Sequence, residues 1–206
     1  MFAAPTRPAV APQSAARPDR KAAILLAAEK LIAQRGYHGV SLREIAAEAG
    51  VPLALVGYYF GAKHELFHAI FAHWRPTIEA RLALLRDAVA RTQPQPEALH
   101  RIVRAFVEPV LRMRTSPEGE FYALLVSREL LYVRDETDRV LREFFDPLAH
   151  AFIDALHTVR PQASRAQAAW SYQFALGALL HHISDRRVQR LSRGSNPPND
   201  AAAAPL

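Results

Sequence analysis

His64, His68 and His73 are the first residues whose types and spacing could do chemistry. His64 and His68 stand one helical turn apart, a spacing at which two imidazoles can share a metal ion. No third ligand accompanies them at a proper spacing, so no metal site is expected. The chain contains no cysteine, which removes thiolate ligands, thiol nucleophiles and disulfides together. No glycine-rich phosphate loop appears, and no histidine is paired with a nucleophile and a carboxylate at a recognisable spacing. Neither enzyme activity nor a cofactor is expected. Recognition is the chemistry that remains, and the stretch "AGVPLALVGYYFGAK", Ala49 to Lys63, is where it concentrates: small residues, a glycine just before two adjacent tyrosines, and a lone lysine at the end.

The elements that position these residues follow from the whole chain. At 206 residues, half of them hydrophobic, it can bury a sizeable core. A net charge of +6 makes an acidic partner plausible, nucleic acid or an anionic membrane, without saying which. No apolar run reaches the roughly 18 residues of a membrane span, and the N-terminus lacks the apolar core of a signal peptide. With no cysteine, a reducing compartment fits, and the cytoplasm is the expected location. Residues 1–19 and 194–206 are rich in alanine and proline. Such a composition cannot offset its ordering entropy, so a flexible arm and a flexible tail are expected there.

Between these ends the pattern is helical. Ile24, Ala27, Ala28 and Leu31 fall on one stripe of a first helix that Gly36 ends. In "SLREIAAEAG", Ser41 and Glu44 make a capping box, Leu42, Ile45, Ala46 and Ala49 repeat the stripe, and Gly50 stops the helix. Pro52 suits the first turn of a third helix, which is expected to reach Phe60. Two short helices joined by a tight turn read as a helix-turn-helix, although many helical hairpins share the pattern. On the third helix Leu53, Ala54, Gly57 and Tyr58 share a side, with Leu55, Val56 and Tyr59 largely opposite. A small, flat side can enter a major groove about 12 Å wide. Gly57 would allow a close approach there, but a tight helix crossing would demand glycine as well.

The segment from Arg20 to Phe67, "RKAAILLAAEKLIAQRGYHGVSLREIAAEAGVPLALVGYYFGAKHELF", closely resembles the DNA-binding domain of TetR-type transcriptional regulators. The resemblance rests on "IL.AA..L", a glycine, "S...IA..AGV", and an aromatic pair ending in Phe before "..K..L", in order and without gaps. It covers about a quarter of the chain. It implies an all-α fold with a three-helix DNA-binding domain at 20–66 and a larger helical domain at 67–193 for ligand binding and dimerisation. It also implies a homodimeric regulator, usually a repressor, that binds double-stranded DNA and answers to a small-molecule effector. By the same resemblance Ser41 touches phosphate and Arg43 reaches a base edge or the backbone. Leu53, Ala54, Gly57 and Tyr58 face the groove, Tyr59 contacts the backbone, and Lys63 pairs with phosphate. Many members carry tyrosine where this chain has Gly57, so no operator sequence follows, and a helical interaction protein with weakened DNA binding is the alternative. Read without the family, Tyr58 and Tyr59 could brace the first helix and Arg43 could be a solvated surface charge. Arg7, Arg17, Arg20 and Lys21 could follow the minor groove as an arm.

Beyond Phe67 a long helix is expected with Pro76 bending or breaking it. Further helices are expected over Glu97–Met113, Gly119–Val133, Glu136–Val159 and Ser164 to about Leu191. Phe106, Val110, Met113, Phe121, Tyr122, Leu125 and Tyr132 are candidates for the lining of an apolar ligand cavity, with plain core packing as the other reading. His100, Arg104 and Arg128 could orient an anionic head group or be surface residues. Phe145, Leu148, Phe152 and Leu156 make one stripe, and Trp170, Phe174, Gly177, Ala178 and His181 another. These two stripes are the expected dimer interface, with Gly177 and Ala178 permitting a close crossing.

Overall fold

The computed structural model describes residues 19–90, 95–129, 135–185 and 187–194. The expected arm up to residue 18, with Arg7 and Arg17, the tail from residue 195, and Tyr132 lie outside the described residues. Among the described residues every regular element is helical. Asp19 caps α1 (Arg20–Arg35) by accepting from the backbone amides of Lys21 and Ala22 at 3.0 and 3.1 Å. The Gly36 N–H closes its far end on the Ile32 carbonyl at 2.7 Å. After a single 3₁₀ turn, Tyr37–Gly39, α2 (Leu42–Glu48) opens on the expected capping box. Glu44 N–H donates to Ser41 Oγ at 3.3 Å, and Ser41 N–H donates to Glu44 Oε2 at 2.8 Å.

The turn to α3 (Leu53–Phe60) places Gly50 at φ 65°, a region that glycine enters without the Cβ penalty. Pro52 is the residue before the helix rather than its first member. Val56, Ile45 and Ala46 point inward against Ile24 and Ala28 of α1, and all five are buried. The bundle thus consumes the apolar stripe of α2 and, from α3, Val56 with Leu55 and Phe60 partly covered, leaving the other side of α3 in solvent.

α4 (Lys63–His73) and α5 (Arg75–Ala90) replace the expected single long helix. The break falls at Trp74, and Pro76 then sits in the first turn of α5, where a missing N–H costs nothing. α6 (Gln95–Met113) packs along α5, and α7 (Pro117–Glu129) packs along α1. The end of α7 is tied to the end of α1: Arg128 Nη1 donates to the Gln34 carbonyl at 2.9 Å, and buried Glu129 accepts from the Tyr37 amide at 3.1 Å.

The expected helix over residues 136–159 is interrupted. α8 (Asp135–Val140) widens into one π turn, Leu141–Phe145, before α9 (Asp146–Val159). Pro147 explains it, because its ring cannot fit the regular turn and it has no N–H to give residue 143. α10 (Arg165–Ser184) stops short of Leu191. Asp185 accepts from the Arg187 amide at 2.8 Å and from its guanidinium, which turns the chain before α11 (Val188–Leu191). One buried cluster runs from α1 through Phe67 and Phe71 to Phe106, Phe144 and Phe152.

Candidate nucleic-acid interface

Burial decides which face of α3 is available. Leu53 is 43 % exposed and Tyr58 81 %, and Ala54 and Gly57 are exposed beside them, so the four residues form one continuous solvent-facing side. A Cβ placed on Gly57 would meet nothing within 4 Å. Among the described residues no helix crossing therefore requires glycine at this position. Tyr59 is 38 % exposed and edge-on to Tyr58, with ring centroids 5.3 Å apart. It also borders a surface depression of about 840 Å³ along α1 and α4.

At the start of α2, Arg43 is exposed, and among the described residues no ion pair holds it. The Ser41 hydroxyl is not free, since it donates to Glu44 Oε2 at 2.7 Å. That bond, the backbone bond from Ser41 and the nearby Arg35 guanidinium hold the Glu44 carboxyl below the usual carboxylate range. Two cations of α1 offset the acidic residues of α2: Arg35 reaches Glu44 at 2.9 Å and Lys30 reaches Glu48 at 2.5 Å. Sequence reading missed both, because each partner lies on a different helix. Lys21 lies 5.8 Å from the Phe60 ring centroid in the first turn of α1, and Arg20 begins that helix; neither belongs to an arm.

Lys63 departs most from expectation. Its ammonium donates to the Tyr37 carbonyl and lies 4.3 Å from the centre of that ring, so it is half-buried and clamps the start of α4 to the 3₁₀ turn. The three histidines do not converge. His68 bonds Glu143 at 2.6 Å, His64 approaches Glu65 at 3.2 Å, and His73 lies edge-on to Trp74. Among the described residues no group of three potential ligands could hold a metal ion.

A cavity of about 420 Å³ lies between α5, α6, α7, α9 and α10. Of the residues expected to line it, Val110, Met113 and Tyr122 do so. Phe106 is buried behind the wall, where its carbonyl accepts from Arg81 Nη2 at 3.0 Å. Phe121 and Leu125 belong to the hydrophobic core and do not line the cavity. His100 is exposed, and Arg104 pairs with Glu108 at 3.1 Å on the outer surface of α6. Arg128 is committed to the end of α1. Sequence reading missed Arg81, the basic member of the wall. Its signal was visible: Ile78, Arg81, Leu85 and Ala88 share one helical stripe, and all four are buried.

The two stripes expected at a dimer interface part company. Leu148 and Phe152 of α9 are in the core, and Phe145 and Leu148 line the cavity, with Leu156 half-buried. An apolar stripe shows that a face must be covered without showing by what, and in α9 the cover is this chain's own α5, α6 and α10. On α10 the stripe faces out. Trp170 is 63 % and Phe174 72 % exposed, their rings 5.9 Å apart, and Gly177, Ala178 and His181 are exposed with them.

Two family models cover most of this architecture. "Bacterial regulatory proteins, tetR family" matches residues 24–70, and "Tetracyclin repressor-like, C-terminal domain" matches residues 104–205. The regulator BetI of Brucella suis biovar 1 (strain 1330) is 40 % identical over 195 residues, covering 95 % of this chain and 91 % of the relative. The transcriptional activator FasR of Mycolicibacterium smegmatis is 29 % identical over 92 residues, 45 % of this chain and 41 % of that protein. Among solved structures, the TetR-family regulator PfmR of Thermus thermophilus shares the fold with a TM-score of 0.61 at 19 % identity, over 93 % of this chain and 94 % of that one. No helix among the described residues is long and apolar enough to cross a membrane. The chain belongs to the TetR family of helix-turn-helix transcriptional regulators, which bind DNA and are not enzymes.

Proposed function

We propose that the protein is a ligand-responsive repressor that acts in the cytoplasm, binds a palindromic operator as a homodimer and leaves it when a small molecule fills the 420 Å³ cavity. One observation carries this reading: α3 offers solvent a continuous side of Leu53, Ala54, Gly57 and Tyr58, while it turns Val56, with Leu55 and Phe60 partly covered, to the bundle. In this reading the head is residues 20–66 and the regulatory part 67–193. The notch at Gly57 seats the backbone deep in the major groove, and Leu53 and Ala54 meet thymine methyls. Tyr58 and Tyr59 lie along the sugar-phosphate rim. Arg43, exposed and in no ion pair among the described residues, takes a base edge or a phosphate. Ser41 and Lys63 act differently from free phosphate ligands: Ser41 fixes the start of α2, and Lys63 sets the angle of α4 against the 3₁₀ turn. A dimer bound across a promoter excludes other proteins from it, which supports repression.

The partner surface is the outward stripe of α10, because two large aromatic side chains standing in water mark a face awaiting cover. Two-fold pairing there would hold the reading helices for half-sites about 34–36 Å apart or a multiple of that. A ligand that favours one separation over another shifts the population and releases the DNA, by no more than its differential affinity. Phe174→Glu is expected to convert a dimer to a monomer in sedimentation at micromolar concentration, with a nearly unchanged helical spectrum and at least a 100-fold loss of operator affinity. A wild-type monomer, or a Phe174→Glu dimer that still protects two symmetric half-sites in a footprint, would overturn the assignment.

A further inference from the structure

The cavity wall carries a charge that the fold does not neutralise. Arg81 is buried, and among the described residues no carboxylate lies within ion-pair distance of its guanidinium. One Nη donates to the Phe106 carbonyl, and the guanidinium carbon lies 4.9 and 5.7 Å from the centroids of the Phe106 and Phe152 rings. Its Nε–H has no acceptor. Tyr122, on the same wall and equally buried, has a hydroxyl without a partner. A buried donor left unpaired costs roughly 1–3 kcal/mol, and two of them bordering one cavity call for an acceptor that the chain does not supply.

We propose that the effector is an amphipathic organic carboxylate whose carboxyl group accepts from Arg81 and Tyr122 and whose apolar body lies against Ile78, Val110, Met113, Phe145 and Leu176. This rests on the cavity being the effector site. Burial lowers the pKa of Arg81 only to about 10, so the guanidinium is charged at neutral pH and its end of the cavity favours an anion over a cation. Asp146 also borders the cavity and Tyr172 stands near the guanidinium. A dianionic phosphate would face Asp146 and require a larger desolvation than one guanidinium and one phenol return, whereas a monoanionic carboxylate matches the fork of an arginine.

The test uses the full chain and three probes of equal chain length below their micelle-forming concentrations: decanoate, decanol and decyltrimethylammonium. Calorimetric titration is expected to show decanoate binding at least 10-fold tighter than either other probe. Arg81→Met, which removes the buried charge and keeps an apolar side chain that replaces the arginine stem, is expected to fold, to keep DNA binding and to lose at least 10-fold in decanoate affinity while decanol affinity is unchanged. Tyr122→Phe should lose a smaller factor. Equal binding of decanol and decanoate, or an Arg81→Met variant with unaltered decanoate affinity, would overturn the carboxylate assignment while leaving the cavity as the ligand site. Failure of all three probes to bind would overturn both readings.

Discussion

Gly57→Glu is expected to lower affinity for operator DNA by 100-fold or more while leaving the fold as stable as before or slightly firmer. The two halves of this expectation have separate causes. Within the chain, a side chain at Gly57 meets open space. Replacing an exposed helical glycine also removes a backbone-entropy penalty, so urea unfolding should show a gain of about 0.5–1 kcal/mol for Gly57→Ala and a smaller one for Glu. In the proposed docking the same position brings the backbone of α3 closest to the groove floor, and a carboxylate there would meet both a steric limit and the phosphate field. A 100-fold loss corresponds to about 2.7 kcal/mol. Fluorescence anisotropy on operator DNA, with unfolding measured in parallel, checks both. An undiminished affinity would show that this side of α3 does not enter the groove.

Glu29→Gln is expected to stabilise the protein at pH 8 by about 1–3 kcal/mol and to change little at pH 4. Glu29 is buried on α1, and burial raises its pKa from 4.5 to about 7, partly offset by the Trp74 indole N–H that donates to Oε2 at 2.6 Å. Its other oxygen has no partner, and the nearby Glu118 charge adds to the rise. With the folded pKa above the unfolded value, the neutral carboxyl favours the fold fully below about pH 4.5, and that contribution disappears as pH rises through about 7. Glutamine keeps an acceptor for Trp74 and has no charge to bury. The carboxylates of Glu44, Glu65 and Glu143, held low by hydrogen bonds and cations, act in the opposite sense at more acid pH. They are common to both proteins, so the difference between wild type and variant in denaturant unfolding isolates Glu29. A difference that does not grow from pH 5 to pH 8 would contradict this ionisation. The position also bears on coupling between the parts of the molecule. Trp74 stacks on Tyr122 at 4.8 Å, so an unbroken line of contacts joins α1 of the reading head to the cavity wall.

The head was legible in the sequence because its signals are local. A capping box at Ser41 and Glu44, stops at Gly36 and Gly50, and a proline before α3 each act within a few residues, and the structure places each of them within one residue of its expected position. The family resemblance then added roles that periodicity alone could not. What failed depended on partners far along the chain. The apolar stripe of α9 looks the same from sequence whether it meets α5 or a second molecule, and Phe145, Leu148 and Phe152 turned inward while Trp170 and Phe174 did not. The resemblance pairs Lys63 with phosphate, and its bond to the Tyr37 carbonyl, which is backbone and 26 positions away, leaves no local signal. His100, Arg104 and Arg128 are candidates to orient an anionic head group or plain surface residues, yet Arg81, which lies within an apolar stripe, is the basic residue at the cavity. Pro147, overlooked inside an expected helix, produced the π turn that brings Phe144 and Phe145 to the interior.

The most direct test of the central claim, that the open side of α3 and the unpaired Arg43 read DNA, is a salt titration of binding to the chain's own upstream DNA and to random duplex. The predicted result is a steep fall of log K with log salt on both, with a slope of about −4 or steeper for a dimer meeting roughly five or more phosphates. Upstream DNA should bind at least 100-fold tighter, and Arg43→Ala should narrow that gap more than it flattens the slope. Equal, salt-insensitive binding to the two duplexes would contradict it.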